Sequence, residues 1–254
     1  MNIIMMGAQG TGKGTVAGFL KEQLGLPHIS TGEIFRKNIK EGTELGKIAT
    51  KYADEGKLVP DEVTNQMVKE RINEDDCKNG FILDGYPRNI IQAKELDRIL
   101  EEKSQKVDLV VNLSTPTEEI IERVLARREC PNCKKVYNMI LNKPKEGELC
   151  DECKVPLITR KDDTREKLQI RLNTFFTETK PVIDFYNAKQ IVKNEEISVA
   201  INRLGMDAAK DIIEFIKNNL CAMWEVRNEM WNMWSGMWDI KVMISHFSSL
   251  TSHL

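Results

Sequence analysis

Apolar positions along this chain fall into short unbroken runs separated by longer stretches with helical spacing. Asn2 to Met6 is one such run; it ends at Gly7, and an amphipathic stretch from Gly14 to Leu24 follows. Strand, loop and helix in that order make an α/β unit. Gly80 to Leu83 and Val107 to Leu113 read as further strands, each followed by a helical pattern, about Asn89 to Lys103 and Thr117 to Arg128. Strands alternating with helices predict a parallel sheet covered by helices. Two excursions leave that sheet: a charged helical segment of about Thr31 to Lys57, and a cysteine-bearing segment after Arg128. Helical patterning resumes from Asp163 to Asn187, and a weaker strand at Ile197 to Ile201 with a helix from Asp207 to Asn218 completes the expected core.

The pattern changes at Leu220. All four tryptophans and five of the eleven methionines lie beyond it, with Met-Trp pairs at Met223-Trp224, Met230-Trp231 and Met237-Trp238, one every seven residues. The chain therefore divides into a core over 1–218 and an extension over 219–254. On a helix the pairs make one tryptophan-rich face, suited to a membrane interface or another chain; the polar residues opposite are acidic as often as basic, which weakens the membrane case. A helix folded back on the core, or an extension with no role, fits equally.

Composition narrows the classes. Charged residues make up 30% and hydrophobic ones 41%, with net charge -2, the profile of a globular chain without a basic field for nucleic acid. No charged leader or long apolar span is visible, so a cytoplasmic address and a monomeric core are expected. Among three histidines only His28 precedes residue 246. Whatever chemistry the core performs runs without imidazole acid/base catalysis.

The loop from Gly7 to Thr15 has the GxxxxGK pattern between a strand and a helix, the setting in which it cradles phosphate. Backbone N–H groups of Gly10, Thr11, Gly12, Gly14 and Thr15 would wrap phosphate oxygens, and Lys13 would supply a charge to the transferring group. Gly14 stands where the strict pattern has Ser or Thr. Asp84 closes the apolar run Phe81-Ile82-Leu83, at the carboxyl end of a strand, where open sheets bind ligands; it could orient magnesium-bound water or simply cap a turn.

Taken together, the glycine loop, Asp84-Gly85-Tyr86-Pro87-Arg88, and Thr159-Arg160-Lys161-Asp162-Asp163 with Arg171 resemble the bacterial adenylate kinases, over about residues 1 to 218. The resemblance implies a P-loop nucleoside monophosphate kinase fold with an AMP-binding lobe over about 31–60 and a mobile lid over 126–164. It implies Mg²⁺-dependent transfer from ATP to AMP, giving ADP. It assigns the AMP phosphate to Arg36 and Arg88, the AMP base to Thr31, Lys57, Leu58, Val59 and Gln92, and further AMP contacts to Gly85, Tyr86 and Pro87. Arg123, Arg127, Arg160 and Arg171 match the arginines that gather around the phosphates, and Val136 and Tyr137 match positions near the ATP base or ribose. The residues themselves agree, because Gln92 follows Arg88 by one helical turn and an amide both donates and accepts, as an adenine edge requires. Another nucleoside monophosphate remains an alternative acceptor. Phosphoryl transfer also suits a chain without core histidines to spare, since its transition state needs alignment and charge neutralisation more than proton transfer.

Cys130, Cys133, Cys150 and Cys153 form two CxxC pairs with sixteen residues between them, the spacing of a zinc site. Four thiolates close a tetrahedron, so the zinc is expected to be structural. The alternative, a nucleic-acid-binding zinc ribbon beside a regulatory nucleotide switch, would want a basic aromatic face; residues 130–153 carry only Tyr137.

Overall fold

The computed structural model describes residues 1–55, 57–160, 162–196 and 205–218. It falls into two units, Met1–Ile212 and Ile213–Leu254. The extension over 219–254 and the strand expected at Ile197 to Ile201 lie outside the described residues.

Five strands build one sheet: β1 (Asn2–Met6), β2 (His28–Ser30), β3 (Phe81–Asp84), β4 (Leu109–Ser114) and, after two short strands described below, β7 (Val192–Glu196). All pairings are parallel, in the order β2-β3-β1-β4-β7. β1 lies at the centre and is buried throughout, which is why its sequence reads as one apolar run. Each fully buried Ile of that run contributes about 1.5–3 kcal/mol to stability. The register aligns Met5 with Asp84, and Asp84 with Ser30, so β1, β3 and β2 end level with one another. β7 was not legible as a strand. Its sequence, Val192 to Glu196, is largely polar because it sits at the edge of the sheet, where one side has no strand partner among the described residues.

The helices are α1 (Lys13–Leu24), α2 (Thr31–Glu41), α3 (Glu44–Glu55), α4 (Asp61–Arg71), α5 (Ile90–Glu101), α6 (Thr117–Leu125), α7 (Arg165–Thr174) and α8 (Lys180–Asn187), with a last one over 205–218. The expected helix over Thr31 to Lys57 is two helices, broken where Gly42 takes a left-handed conformation (φ 66°) and closes α2. The expected helix over Thr117 to Arg128 stops at Leu125, because Arg127–Glu129 becomes β5 and pairs antiparallel with β6 (Val136–Asn138). Between α7 and α8, Phe175–Thr179 forms a π-helical turn. Leu168 and Leu172 on α7 pack with Ile120 and Val124 of α6, whereas Val182, Ile183 and Tyr186 on α8 join the main core; Phe175 touches both clusters. Among the described residues no helix is long and apolar enough to cross a membrane.

Candidate active site

β1 delivers the chain into the glycine loop at the carboxyl end of the sheet. Gly7, Gly10 and Gly12 have φ of 133°, 91° and 93°, values that side chains resist. Space adds a second constraint: a Cβ on Gly7 would come 2.4 Å from the carbonyl oxygen of Leu113. The loop opens α1 with Gly12 as its N-cap, so free N–H groups and the positive helix end face a cavity of about 1020 Å³. Lys13 Nζ donates to the carbonyls of Gly7 and Ala8, both at 2.9 Å. Burial lowers its pKa; Asp84 opposes that shift, and Arg88 and Arg127 add to it. Gly14, the departure from the strict pattern, has open space where a side chain would stand and lines the same cavity. Thr11 does not line it; its hydroxyl donates to Ala8 O at 2.9 Å and braces the loop from behind.

On the other side stand the residues after β2 and β3. Burial alone would raise the Asp84 pKa, but His28, Lys13 and Arg88 together hold its carboxyl below the usual carboxylate range. His28 Nε2 lies 3.6 Å from Asp84 Oδ2; neither this neighbour nor β2, the short edge strand that carries it, was read from the sequence. Arg88 is anchored by its Nε to Gly85 O at 2.8 Å, by its N–H to Gln92 Oε1 at 2.7 Å, and by its carbonyl, which accepts from the Thr179 hydroxyl at 2.8 Å. Burial lowers the pKa of Arg88, with Arg171 and Arg36 adding to the shift and Asp84 opposing it. Arg36 is lowered in the same way, by burial first and Arg160 next. Neither Arg36 nor Arg88 has an ion-pair partner among the described residues. Thr31 donates to Gly85 O at 3.0 Å, and Lys57, Leu58, Val59, Pro87 and Gln92 line the wall around them. Tyr86 lies behind that wall, its hydroxyl donating to Asn65 Oδ1 at 2.7 Å.

The third group of cations is held by carboxylates. Arg127 Nε donates to Asp163 at 2.8 Å, Arg160 Nε to Glu129 at 2.6 Å, and Arg171 to Asp162 at 2.7 Å and to Gln9 Oε1 at 2.9 Å. Arg123 is 8% exposed and reaches Glu119 one turn back on α6 at 2.9 Å. All four arginines line the cavity.

A cavity lined by a phosphate loop, by arginines without ion-pair partners and by arginines held on carboxylates is built for two phosphorylated ligands. Comparison with known proteins agrees: the family model for adenylate kinase matches residues 5–191. The adenylate kinase of Caldanaerobacter subterraneus subsp. tengcongensis is 45% identical over 213 residues, covering 84% of this chain and 96% of that protein. The adenylate kinase of Staphylococcus aureus is 46% identical over 216 residues, covering 85% and 99%, and that of Desulforamulus reducens 47% over 206 residues, covering 80% and 97%. The chain belongs to the adenylate kinase family. It is a nucleoside monophosphate kinase with adenylate kinase activity.

In this adenylate kinase the cysteines meet above β5 and β6. The Sγ atoms of Cys130, Cys133, Cys150 and Cys153 all lie within 4.8 Å of one another, and those of Cys133 and Cys150 are 3.6 Å apart. Ligands 2.3 Å from a tetrahedral zinc stand roughly 3.8 Å from each other, so the cluster has the size the metal needs. The main-chain N–H of Cys153 and the Tyr137 hydroxyl, against the opposing effect of desolvation, hold the Cys150 thiol down to about 6. Tyr137 is 1% exposed, and its hydroxyl accepts from Asp151 N at 2.9 Å beside Cys150. Its polar end thus serves the cysteine cluster, while the residue, with Val136, also borders the cavity.

Proposed function

We propose that this chain catalyses the reversible reaction ATP + AMP to two ADP, with Mg²⁺ bound to ATP and the residues above in fixed roles. The observation that carries the assignment is the pair Arg36 and Arg88, two guanidinium groups that line the cavity and have no ion-pair partner among the described residues. Two forks left free of carboxylates in one cavity suit a phosphate, whose oxygens each can grip. They would grip the AMP phosphate, with Thr31, the 57–59 stretch, Gly85, Pro87 and Gln92 forming the nucleoside side of that site; Tyr86, assigned there by the resemblance, is 1% exposed and supports the wall from behind. The glycine loop and Lys13 would hold the ATP phosphates, with Arg123 and Arg127 beside them and Val136 and Tyr137 near the nucleoside. Arg160 and Arg171 would reach the transferring group from residues 126–164 and α7. Their carboxylate partners keep them oriented until phosphate oxygens compete for the same forks. Asp84, ionised and level with the loop, fits the role of orienting water on Mg²⁺, which neutralises phosphate charge.

We read 31–60 as the AMP lobe and 126–164 as a lid that excludes water during transfer. Zinc on the four cysteines would hold the lid together. Lys135 pairs with Glu152 at 2.8 Å and Lys154 with Glu146 at 2.9 Å, which leaves the cysteine segment little basic surface for nucleic acid. Clustered reduced thiols also favour a reducing, cytoplasmic setting.

A coupled assay with ATP and each nucleoside monophosphate in turn tests the acceptor, and AMP should give the highest kcat/KM. Gln92→Ala should raise the KM for AMP about tenfold and narrow the gap to other acceptors, because an amide that reads the base confers selectivity. An unchanged acceptor profile would remove Gln92 from the base site. Cutting the chain after Asn218 should leave transfer intact, since the cavity is lined by residues up to Met206. Loss of most activity on truncation would make the extension part of the working enzyme. With no tryptophan before Trp224, tryptophan emission reports on that extension alone, so a bisubstrate analogue should leave it unchanged if the extension is independent.

A further inference from the structure

Gln92 is 2% exposed and lines the cavity, and its amide is held at both ends. The Arg88 N–H donates to Oε1 at 2.7 Å, and Nε2 donates to Asp61 Oδ1 at 2.7 Å. A main-chain N–H only donates and a carboxylate only accepts, so these two contacts fix which end of the amide is which. Turned over, the amide would set Nε2 against an N–H and Oε1 against the carboxylate, two mismatched pairs in a buried place. Asp61 is itself held. Asn89 Nδ2 donates to both of its oxygens, at 3.0 and 3.1 Å, while Asn89 Oδ1 caps α5 by accepting from Gln92 N at 2.9 Å. Neither Asp61 nor Asn89 lines the cavity, and Asp61 precedes Gln92 by 31 residues, at the start of α4.

We infer that Asp61 is a specificity-determining positioning residue, which makes the glutamine one-sided toward the acceptor base. Oε1 keeps one lone pair and Nε2 one hydrogen for a ligand. An acceptor and a donor in that fixed order match a base edge offering an amino group beside a bare ring nitrogen, as adenine does. They oppose an edge offering a carbonyl beside a ring N–H, as hypoxanthine and guanine do. A free glutamine turns to suit either edge; one held by the Arg88 N–H at one end and Asp61 at the other does not. The inference rests on reading Gln92 as the base contact and adds the residue that orients it.

AMP and IMP, whose bases differ at this edge, are the probes. Asp61→Asn keeps the size of the side chain but can accept or donate, so it removes one of the two mismatches that oppose the turned amide, leaving only the one at the Arg88 N–H. Asn89→Asp keeps the α5 cap and removes the donor that steadies Asp61. In Asp61→Asn the preference for AMP over IMP in kcat/KM should fall about tenfold, because selectivity here depends on a mismatched alternative. Asn89→Asp should move the ratio the same way and serves if Asp61→Asn fails to fold. A general loss of stability would lower both substrates together without favouring IMP. If the ratio stays intact in the folded variants while Gln92→Ala collapses it, Asp61 is structural only and the inference falls while the base contact stands. If Gln92→Ala itself leaves the ratio intact, the base contact falls and takes this inference with it.

Discussion

Lys13→Ala lowers kcat by about a thousandfold, about 4 kcal/mol of transition-state stabilisation, while the enzyme stays folded. The size follows from where the ammonium sits. It sits half-buried at the start of α1, is braced by the carbonyls of Gly7 and Ala8, and faces a cavity whose other cations are mostly arginines farther along the chain. None of these takes its place, because Arg88, Arg123, Arg127, Arg160 and Arg171 are each held by a carboxylate or carbonyl partner and Arg36 stands on α2, beyond β2. The fold depends on it much less. Ala8 O keeps its bond from Thr11, and the carbonyl released at Gly7 faces a cavity that water enters. A coupled assay run beside a melting curve separates the two effects. Turnover near that of the unaltered enzyme would overturn the phosphate-loop assignment.

Cys150→Ser, or removal of metal by a strong chelator, should lower the melting temperature by about 10 °C or more, since a closed thiolate site contributes folding energy directly. Cys130, Tyr137, Cys150 and Leu157 are the buried core of the cysteine segment, with Cys153 and Val155 packed against them. So few side chains cannot hold an excursion of roughly 40 residues by burial alone. One equivalent of zinc should copurify. Kinetic parameters measured well below the transition should change less than stability does. Protein that purifies without metal and melts unchanged on Cys150→Ser would refute the site.

Much of this was legible in the sequence because local pattern and site chemistry coincide. The run Asn2 to Met6 and the glycines after it announce a buried strand and a phosphate loop in one stretch, and the two CxxC pairs announce a metal-sized cluster by spacing alone. The carboxylate partners of the arginines were not legible. Glu129 and Arg160 are 31 residues apart, Asp163 and Arg127 are 36 apart, and nothing in either segment names its partner before the chain folds. β7 was missed for a different reason: an edge strand with polar residues lacks the apolar run by which the central strands are recognised. Within the expected helical stretch Asp163 to Asn187, the structure shows a stripe at Leu168, Leu172, Phe175, Thr179, Val182 and Tyr186 that keeps α-helical spacing in sequence across an interruption.

That stripe is continuous in sequence and broken in space. The π-helical turn at Phe175–Thr179 takes up one extra residue, and each residue of an α-helix advances the face by about 100°. Upstream, Leu168 and Leu172 face α6; downstream, Val182 and Tyr186 face the main core, and the Thr179 hydroxyl meets the carbonyl of Arg88. The turn therefore works as a phase shifter between two halves of one rod. Loss of a single codon within the turn would restore plain α-helix and leave α8 on the same face, whereas loss of one within α7 would rotate the two halves against each other by about 100°. The turn is thus the one stretch of this rod where a change of length by one residue is absorbed rather than passed on.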